Sequence, residues 1–217
     1  MKKILLGILA VIYLNSIANA DNVKLYKHYT FGMTKDTIKK EIGVYDCSKD
    51  FEKGALCKNG QNFVGENIEI GFRFVNDKLV SVILFTEFTN ENYIKFIGAL
   101  NSKFQLLAME SNQKKIDFLE QIKKYKKGIF LKNINDFEQN GLANGNIKYI
   151  FIDKNTFLAL GKSSSNITDL IMKANSNIRA VEYIITEDKN GAYGLIQFSA
   201  SKKSLALLKK KQKYEDF

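Results

Sequence analysis

The chain has 217 residues, enough for one large domain or two small domains with a hydrophobic core. It carries 33 Lys and Arg against 23 Asp and Glu, so its net charge is +10. This charge favours anionic partners such as phospholipid head groups, lipopolysaccharide, cell-wall polymers or acidic proteins. With 2 Cys and 1 His in the chain, a zinc site is hard to build because it needs further ligands.

The N-terminal segment 1–20 predicts a secretory signal peptide. Lys2 and Lys3 precede an apolar run over residues 4–14, and Ala18-Asn19-Ala20 forms a small-x-small cleavage site. A membrane anchor is the alternative, but the run is shorter than the roughly 20 apolar residues that cross a bilayer. We therefore expect cleavage after Ala20 and export to the periplasm, where neither nucleic acid nor nucleotides are expected partners.

Cys47 and Cys57 both follow the predicted cleavage site. In an oxidising compartment a close, isolated pair of cysteines is most simply a disulfide. A redox-active pair is more typical of a Cys-x-x-Cys motif at the start of a helix. The sequence therefore predicts a structural disulfide that closes a short loop.

The first element predicted in the chain is a short helix. Thr34 is a suitable N-cap, Ile38 and Ile42 form the buried stripe, and Gly43 ends the helix. The disulfide loop follows directly.

The clearest β-hairpin lies between residues 67 and 88. Residues 67–75 alternate between apolar and polar side chains, and the chain returns as 79–88 after Asn76-Asp77-Lys78. Three elements are predicted next: a helix capped by Asn90, a short strand over 104–109, and a basic helix over about 113–127 with its lysines in solvent.

A loop at Asn140-Gly141 and Asn144-Gly145 is the best candidate boundary between two halves of the chain. Beyond it the pattern predicts a hairpin of 147–153 with 156–160, a helix capped by Ser165 or Asn166, a hairpin of 180–187 with 192–200, and a final Lys-rich helix from Ser201.

A helix followed by a hairpin thus recurs over 34–88, 113–160 and 166–200. This pattern predicts an α+β fold, an antiparallel sheet built from tandem helix-hairpin units with helices packed on one face. The N-terminal region with the disulfide loop spans 21–140 and the C-terminal region spans 141–217. The two regions form either separate domains or one continuous domain.

Residues 31–88 resemble a repeat found in envelope proteins. The similarity rests on Gly32-Met33-Thr34 with Ile38, Ile42 and Gly43, and on the strand pair Phe72-x-Phe74-x-Asn-Asp-Lys-Leu79-x-x-Val82. This segment resembles the unit shared by the small outer-membrane assembly lipoproteins and the β-lactamase inhibitor proteins. The resemblance implies a non-catalytic surface on the sheet that grips another protein.

The sequence offers little for catalysis. Gly161-Lys162-Ser163 lacks the earlier glycine of a phosphate-binding loop, since Thr156 stands there. A Ser-His-Asp arrangement has only His28 available, and acid pairs such as Glu66 and Glu69 are ordinarily surface residues. We expect no catalytic residue, no cofactor and no metal, and a hydrolase ranks third among the candidate functions.

Two sets of residues are candidates for binding. Tyr45 and Phe63, beside the disulfide loop, are aromatic side chains that would suit recognition of a protein partner. A basic C-terminal segment with interspersed leucines would suit an anionic lipid or a cell-wall polymer, although it equally suits a final helix that docks its leucines on the sheet. Its lysines are Lys202, Lys203, Lys209, Lys210, Lys211 and Lys213.

The sequence as a whole favours an exported, periplasmic, non-catalytic module that contacts an envelope protein through its sheet face or disulfide loop. The alternative is an envelope-surface protein that binds anionic lipid or cell wall through its basic C-terminal helix.

Overall fold

An antiparallel sheet of nine strands dominates the described part of the chain, and a two-stranded sheet lies beside it. The structure, a computed structural model, describes residues 23–189 and 191–203. The predicted signal peptide and the predicted final helix beyond residue 203 lie outside the described residues. In chain order the elements are β1 (Lys24–Tyr26), β2 (Tyr29–Thr30), α1 (Lys35–Lys39), β3 (Val44–Asp46), β4 (Leu56–Phe63), β5 (Glu66–Val75), β6 (Lys78–Glu87), α2 (Asn90–Lys103), β7 (Phe104–Ser111), β8 (Lys114–Asp117), α3 (Phe118–Lys124), α4 (Lys127–Ala143), β9 (Asn146–Asp153), α5 (Lys154–Leu160), a short 3₁₀ turn (Gly161–Ser163), α6 (Ile167–Lys173), β10 (Ala180–Asp188) and β11 (Gly191–Ser199).

Strands from both predicted regions share the large sheet. Their order is β3-β4-β5-β6-β11-β10-β9-β7-β8, and every neighbouring pair is antiparallel. Strands β9, β10 and β11, from beyond residue 140, lie between β6 and β7, from before it. The predicted α+β class with a large antiparallel sheet is confirmed.

The first face of the sheet carries the larger core. Successive side chains of a strand point to opposite faces, and on this face one buried side chain from each of five strands lies in register: Phe72, Val82, Phe198, Val181 and Phe151. The β1–β2 pair and helices α1, α2 and α4 pack over this face.

The opposite, second face is covered by helices at one end. Ile150 and Ile152, which alternate with the buried first-face residues of β9, pack with Ile167 and Leu170 of α6. Helix α5 also packs there, and α3 contributes Leu119. The helices therefore lie on both faces, and not on one as expected, because the apolar second-face residues of β9 need a cover of their own.

The β5–β6 hairpin forms as the alternating pattern predicts. Asn76 and Asp77 have φ of 49° and 57°, the left-handed pair that matches a two-residue turn to the twist of the strands. The β10–β11 hairpin and strand β7 also lie where they are expected.

Two predicted helix caps are confirmed, whereas the cap of α2 is Thr89 and not Asn90, and α1 is shorter than expected. The side chains of Thr34 and Asn166 accept hydrogen bonds from backbone N–H groups at the starts of α1 and α6. Helix α1 ends at Lys39, however, so Ile42 is 95% exposed and is not part of the buried stripe.

The predicted helix over 113–127 is wrong. Asn112 and Gln113 both have positive φ, 50° and 63°, and form the turn of a β7–β8 hairpin. Ile116 is buried in the core of the first face. Asp117 then accepts hydrogen bonds from backbone N–H groups and starts α3 at Phe118.

Two predictions in the second half are also wrong. Asn140-Gly141 lies inside α4, and a Cβ at Gly141 would be 2.8 Å from the Ile147 side chain, so glycine lets the helix approach β9 closely. Residues 156–160 belong to α5 and not to a strand, since the Asp153 carboxylate accepts a hydrogen bond from Asn155 N and caps a helix there.

Glu41 joins the small sheet to the edge of the large one. Its Oε2 accepts hydrogen bonds from the Tyr29 hydroxyl at 2.8 Å and the Lys58 ammonium at 3.0 Å. Its Oε1 lies 3.0 Å from His28 Nε2. Burial alone would raise the pKa of Glu41, but these hydrogen bonds outweigh burial and hold the pKa below its usual value. The charged carboxylate therefore stabilises the packing of β1–β2 on β4.

The substitution Glu41→Gln is expected to destabilise the protein at neutral pH and to cost less at acid pH. Because folding lowers the pKa of Glu41, the stabilisation is present above the unfolded pKa of about 4.3 and is lost as pH falls through the folded pKa. Urea unfolding at about pH 7 and about pH 3 measures both losses. Glu87→Gln, at an exposed carboxylate, is the control, and equal losses for Glu41→Gln at both pH values would contradict this account.

Candidate functional site

The second face is open between two walls. One wall is the disulfide loop, residues 47–57, which lies over β4 and β5; the other is helix α6, which lies over β9. Among the described residues, α6 packs on Ala180 of β10, and no helix shares an apolar cluster with the second-face side chains farther along β6, β11 and β10. This opening is the candidate functional site.

A groove of about 540 Å³ lies between these walls. Its size falls within the range of ligand-binding clefts. Glu52 and Lys53 form the side toward the disulfide loop, Ile167, Thr168 and Ile171 form the side toward α6, and the floor includes Ser81, Gln197, Glu182 and Ser199.

The groove is lined mostly by apolar side chains, but polar side chains of β6, β10 and β11 lie on its floor. Ser81 is 2% exposed, and its Oγ has no hydrogen-bond partner within residues 23–189 and 191–203. Gln197 and Glu182 are half-buried and lie in one register row with Gly71 and Ile83. Buried polar groups normally have partners, so this floor is suited to contact polar groups of another molecule.

The disulfide fixes the loop that forms the first wall. Cys47 and Cys57 are bonded, with their Cα atoms 5.7 Å apart, and both pack with Ala55 and Phe51. The predicted disulfide is therefore confirmed, and it fits an extracellular or periplasmic location.

Two contacts fasten this loop to the sheet. The Arg73 side chain of β5 donates a hydrogen bond to the Glu52 carboxylate. Phe51 meets Phe85 edge to face at 4.9 Å between ring centroids. A Cβ at Gly71 would lie 2.7 Å from Phe85 and 3.1 Å from Phe51, so glycine makes the room that both rings occupy.

An apolar row adjoins the groove. It consists of Phe85, Leu195 and Ile184, which are paired in register across β6, β11 and β10 and are all half-buried. Glu69 flanks the row on β5 and Lys148 flanks it on β9. No helix among residues 23–189 and 191–203 packs on this row, which is the apolar centre of the second face.

Lys148 keeps a cation at the edge of this row. Its Nζ lies 2.6 Å from the Glu110 carboxylate. Burial alone would lower the pKa of Lys148, but Glu110 and Glu182 outweigh burial and raise the pKa. The row is therefore bordered by an acidic side chain on one side and an ion pair on the other.

The structure does not bring the two predicted aromatic residues together. Tyr45 of β3 is 41% exposed at the edge of the second face, where its hydroxyl donates to the Glu69 carboxylate and its pKa is raised by that hydrogen bond. Phe63 packs against the core of the first face, 5.3 Å from the ring of Phe96. Tyr45 borders the candidate site, and Phe63 lies on the other side of the sheet.

Two of the six predicted lysines lie within the described residues, and neither points freely into solvent. The Lys202 ammonium donates hydrogen bonds to the carbonyls of Met172, at 2.8 Å, and Ala174 at the end of α6. The Lys203 ammonium lies 5.9 Å from the centroid of the Phe31 ring. Lys209, Lys210, Lys211 and Lys213 lie outside the described residues.

No group of three or more His, Cys, Asp and Glu side chains that could hold a metal ion occurs among the described residues. None of the helices described is long and apolar enough to cross a membrane. His28 lies beside Glu41, on the opposite face from the groove.

Sequence reasoning missed the groove and the apolar row. Their residues come from six strands and two walls spread between residues 52 and 201. The alternation of Ser81, Ile83 and Phe85 along β6 was the available signal, because these residues share a face. The order of the strands, which brings them beside Gln197 and Leu195, was not readable from the alternation.

Comparison with protein families, curated proteins and solved structures gives no match to this chain.

Proposed function

We propose that this protein is an exported, non-catalytic module of the cell envelope that holds a protein partner on the second face of its sheet. The observation that carries the proposal is the apolar row of Phe85, Leu195 and Ile184, which lies half-exposed beside the groove. An apolar centre surrounded by polar and charged side chains is the usual anatomy of a protein interface.

The charges around the row suit a macromolecular partner. Glu69 and Glu87 lie on the side of β5 and β6, and Lys148 and Lys115 lie on the side of β9 and β8. Glu110 pairs with Lys148 and lies opposite Lys115, so the side of β5 and β6 is acidic and the side of β9 and β8 carries both signs. Such a pattern of charge orients a partner and selects against wrong ones. Tyr193, 37% exposed, extends the apolar surface along β11.

Export is part of the proposal. The charged, apolar and small-residue parts of segment 1–20 support a signal peptide that is cleaved after Ala20. The Cys47–Cys57 disulfide is compatible with the periplasm as the site of action.

A photo-crosslinking side chain at Leu195 tests the partner site in intact cells. We expect a single protein adduct at Leu195, on a chain that begins at Asp21, and no adduct when the same group replaces Ile94, which is 69% exposed on α2. Leu195→Asp is expected to weaken the purified complex by about tenfold or more, while Ile94→Asp leaves it unchanged. Equal adducts at both positions, or a chain that retains Met1, would contradict the proposal.

The alternative is association with anionic lipid or cell wall through the C-terminal lysines. Salt separates the two functions, because a surface held by lysines weakens as the Debye length falls from about 10 Å at 0.1 M to about 3 Å at 1 M. We expect the partner complex to survive moderate salt and to survive deletion of residues 205–217.

A further inference from the structure

A second cavity lies at the opposite face of the sheet, away from the proposed partner site. It has a volume of about 550 Å³ and lies between the β1–β2 pair, the β4–β5 turn and the end of α2. We name it the basic cavity. Its lining contains side chains of two contrasting kinds, which lie at different depths.

The floor of the basic cavity is aromatic and apolar. Tyr26, Phe104 and Phe198 are buried there with Leu25 and Leu100. The rings of Tyr26 and Phe198 are 5.2 Å apart, and those of Phe104 and Phe198 are 6.2 Å apart. Phe63, half-buried, adds a further ring at 6.2 Å from Tyr26. Such a floor favours the apolar body of a ligand.

The rim of the basic cavity is positive. Lys24, Lys27 and Lys103 are exposed on the rim, and the lining includes no Asp or Glu. Arg179 also lines the cavity, but its charge is compensated by Asp153 at 2.7 Å. The lysines have no carboxylate within salt-bridge distance in the part of the chain that the structure describes. Three uncompensated cations around an apolar floor favour an anion.

The turn beside the cavity holds an unusual residue. Val64 has φ of 55°, the left-handed conformation that a β-branched residue rarely adopts, and it is 43% exposed on the cavity lining. Asn or Gly is the ordinary choice at this turn position. Residues in such conformations cluster at functional sites, and this one places an apolar side chain at the mouth of the cavity.

From these observations we propose that the basic cavity binds an amphipathic anion, an alkyl chain bearing a phosphate or carboxylate. The chain lies on Tyr26, Phe63 and Phe198, and the anionic group lies among Lys24, Lys27 and Lys103. The site is independent of the proposed partner surface, since the sheet separates them. Either a free amphiphile or the head group and proximal chain of an anionic lipid has this chemistry.

Titration of the purified chain with dodecyl phosphate, followed by calorimetry, tests the proposal. The triple variant Lys24→Gln, Lys27→Gln and Lys103→Gln is expected to bind roughly tenfold more weakly or worse. The matched control removes the same charge from exposed positions outside the cavity: Lys49→Gln, Lys127→Gln and Lys162→Gln. We expect its affinity to stay within about twofold of the wild type. Equal losses in both variants would overturn the proposal, because net charge alone would then explain binding.

Two further probes test the amphipathic requirement. Inorganic phosphate and the uncharged dodecyl maltoside should each bind far more weakly than dodecyl phosphate, and equal affinity for either would overturn the proposal. Val64→Asn should raise the temperature of unfolding, since it relieves the left-handed valine, and should weaken dodecyl phosphate binding. Unchanged affinity in Val64→Asn would show that the alkyl chain lies elsewhere and would contradict the site.

The physical form of the probe, monomer or vesicle, distinguishes a free amphiphile from a membrane lipid as the ligand. Binding of dodecyl phosphate below its micelle concentration supports a free amphiphile, and lysine-dependent binding to phosphatidylglycerol vesicles without monomer binding supports a lipid within a bilayer. If neither dodecyl phosphate nor the vesicles bind, the proposal is overturned. The proposed partner site on the second face is not affected by that result, because crosslinking at Leu195 tests it separately.

Discussion

Replacing Asp117 by Ala is expected to lower the free energy of unfolding by about 2–4 kcal/mol. Asp117 is 6% exposed, and its carboxylate serves two helices. Oδ1 accepts hydrogen bonds from Leu119 N at 3.0 Å and Glu120 N at 3.4 Å, at the start of α3. Oδ2 accepts from Ile167 N at 2.8 Å, at the start of α6. Alanine leaves the buried N–H groups of Leu119 and Ile167 without these acceptors.

Two variants separate this dual role from ordinary helix capping. Asn166→Ala removes only the cap that accepts from Asp169 N at 2.8 Å, so it is expected to cost about 1 kcal/mol. Asp117→Asn keeps one acceptor oxygen but presents an amide donor where the second is needed, so its loss should lie between the two. Urea unfolding measures all three. A loss for Asp117→Ala no larger than that for Asn166→Ala would show that the contact with α6 contributes nothing.

Asp117 also shows which parts of the fold can be predicted from the sequence. The cap of α3 is a local contact, and the caps at Thr34 and Asn166 and the turn at Asn76-Asp77 are local too. Local signals suffice to predict helix starts and hairpins, because the groups that interact are only a few residues apart. The hydrogen bond from Ile167 N to Asp117 spans 50 residues, and no sequence pattern predicts it.

The wrong predictions have the same physical origin, which is that contacts distant in sequence decide the local structure. Lys114-Lys115-Ile116 fits a helical stripe as well as a strand, and the left-handed turn at Asn112-Gln113 decides in favour of a strand. Glycine at 141 reads as a loop signal, yet close packing on Ile147 explains it inside a helix. In both cases tertiary packing outweighs local preference.

The candidate site was predictable only in part. The disulfide followed from two cysteines and their spacing, and it does form one wall of the groove. Which part of the sheet is exposed depends on which helices cover it. Helices α3, α5 and α6 contribute side chains to the core of the second face, and the sequence does not show which face a helix covers. Phe63 illustrates the limit, since a residue near the loop in sequence lies across the sheet from it in space.

The double substitution Cys47→Ala and Cys57→Ala is expected to lower the free energy of unfolding by about 2.7 kcal/mol while the fold persists. The two residues are 10 apart in sequence, so the bond restricts a short loop of the unfolded chain. The Arg73–Glu52 hydrogen bond and the Phe51–Phe85 contact still hold the loop on β5 and β6, so circular dichroism should be unchanged. Urea unfolding measures the loss, and reduced wild-type protein is the control that removes the bond without removing the sulfurs.

Thiol chemistry provides the second half of this test. Cys47 and Cys57 are joined in a disulfide, so the protein should take up no thiol label without reductant, either native or unfolded in urea. The variant should also hold its partner less tightly, because the wall of the groove beside Glu52 becomes less ordered once the loop is no longer closed. Stoichiometric labelling of the native protein, or efficient exchange with an added disulfide, would instead assign the pair to redox chemistry and remove the structural role on which the groove depends.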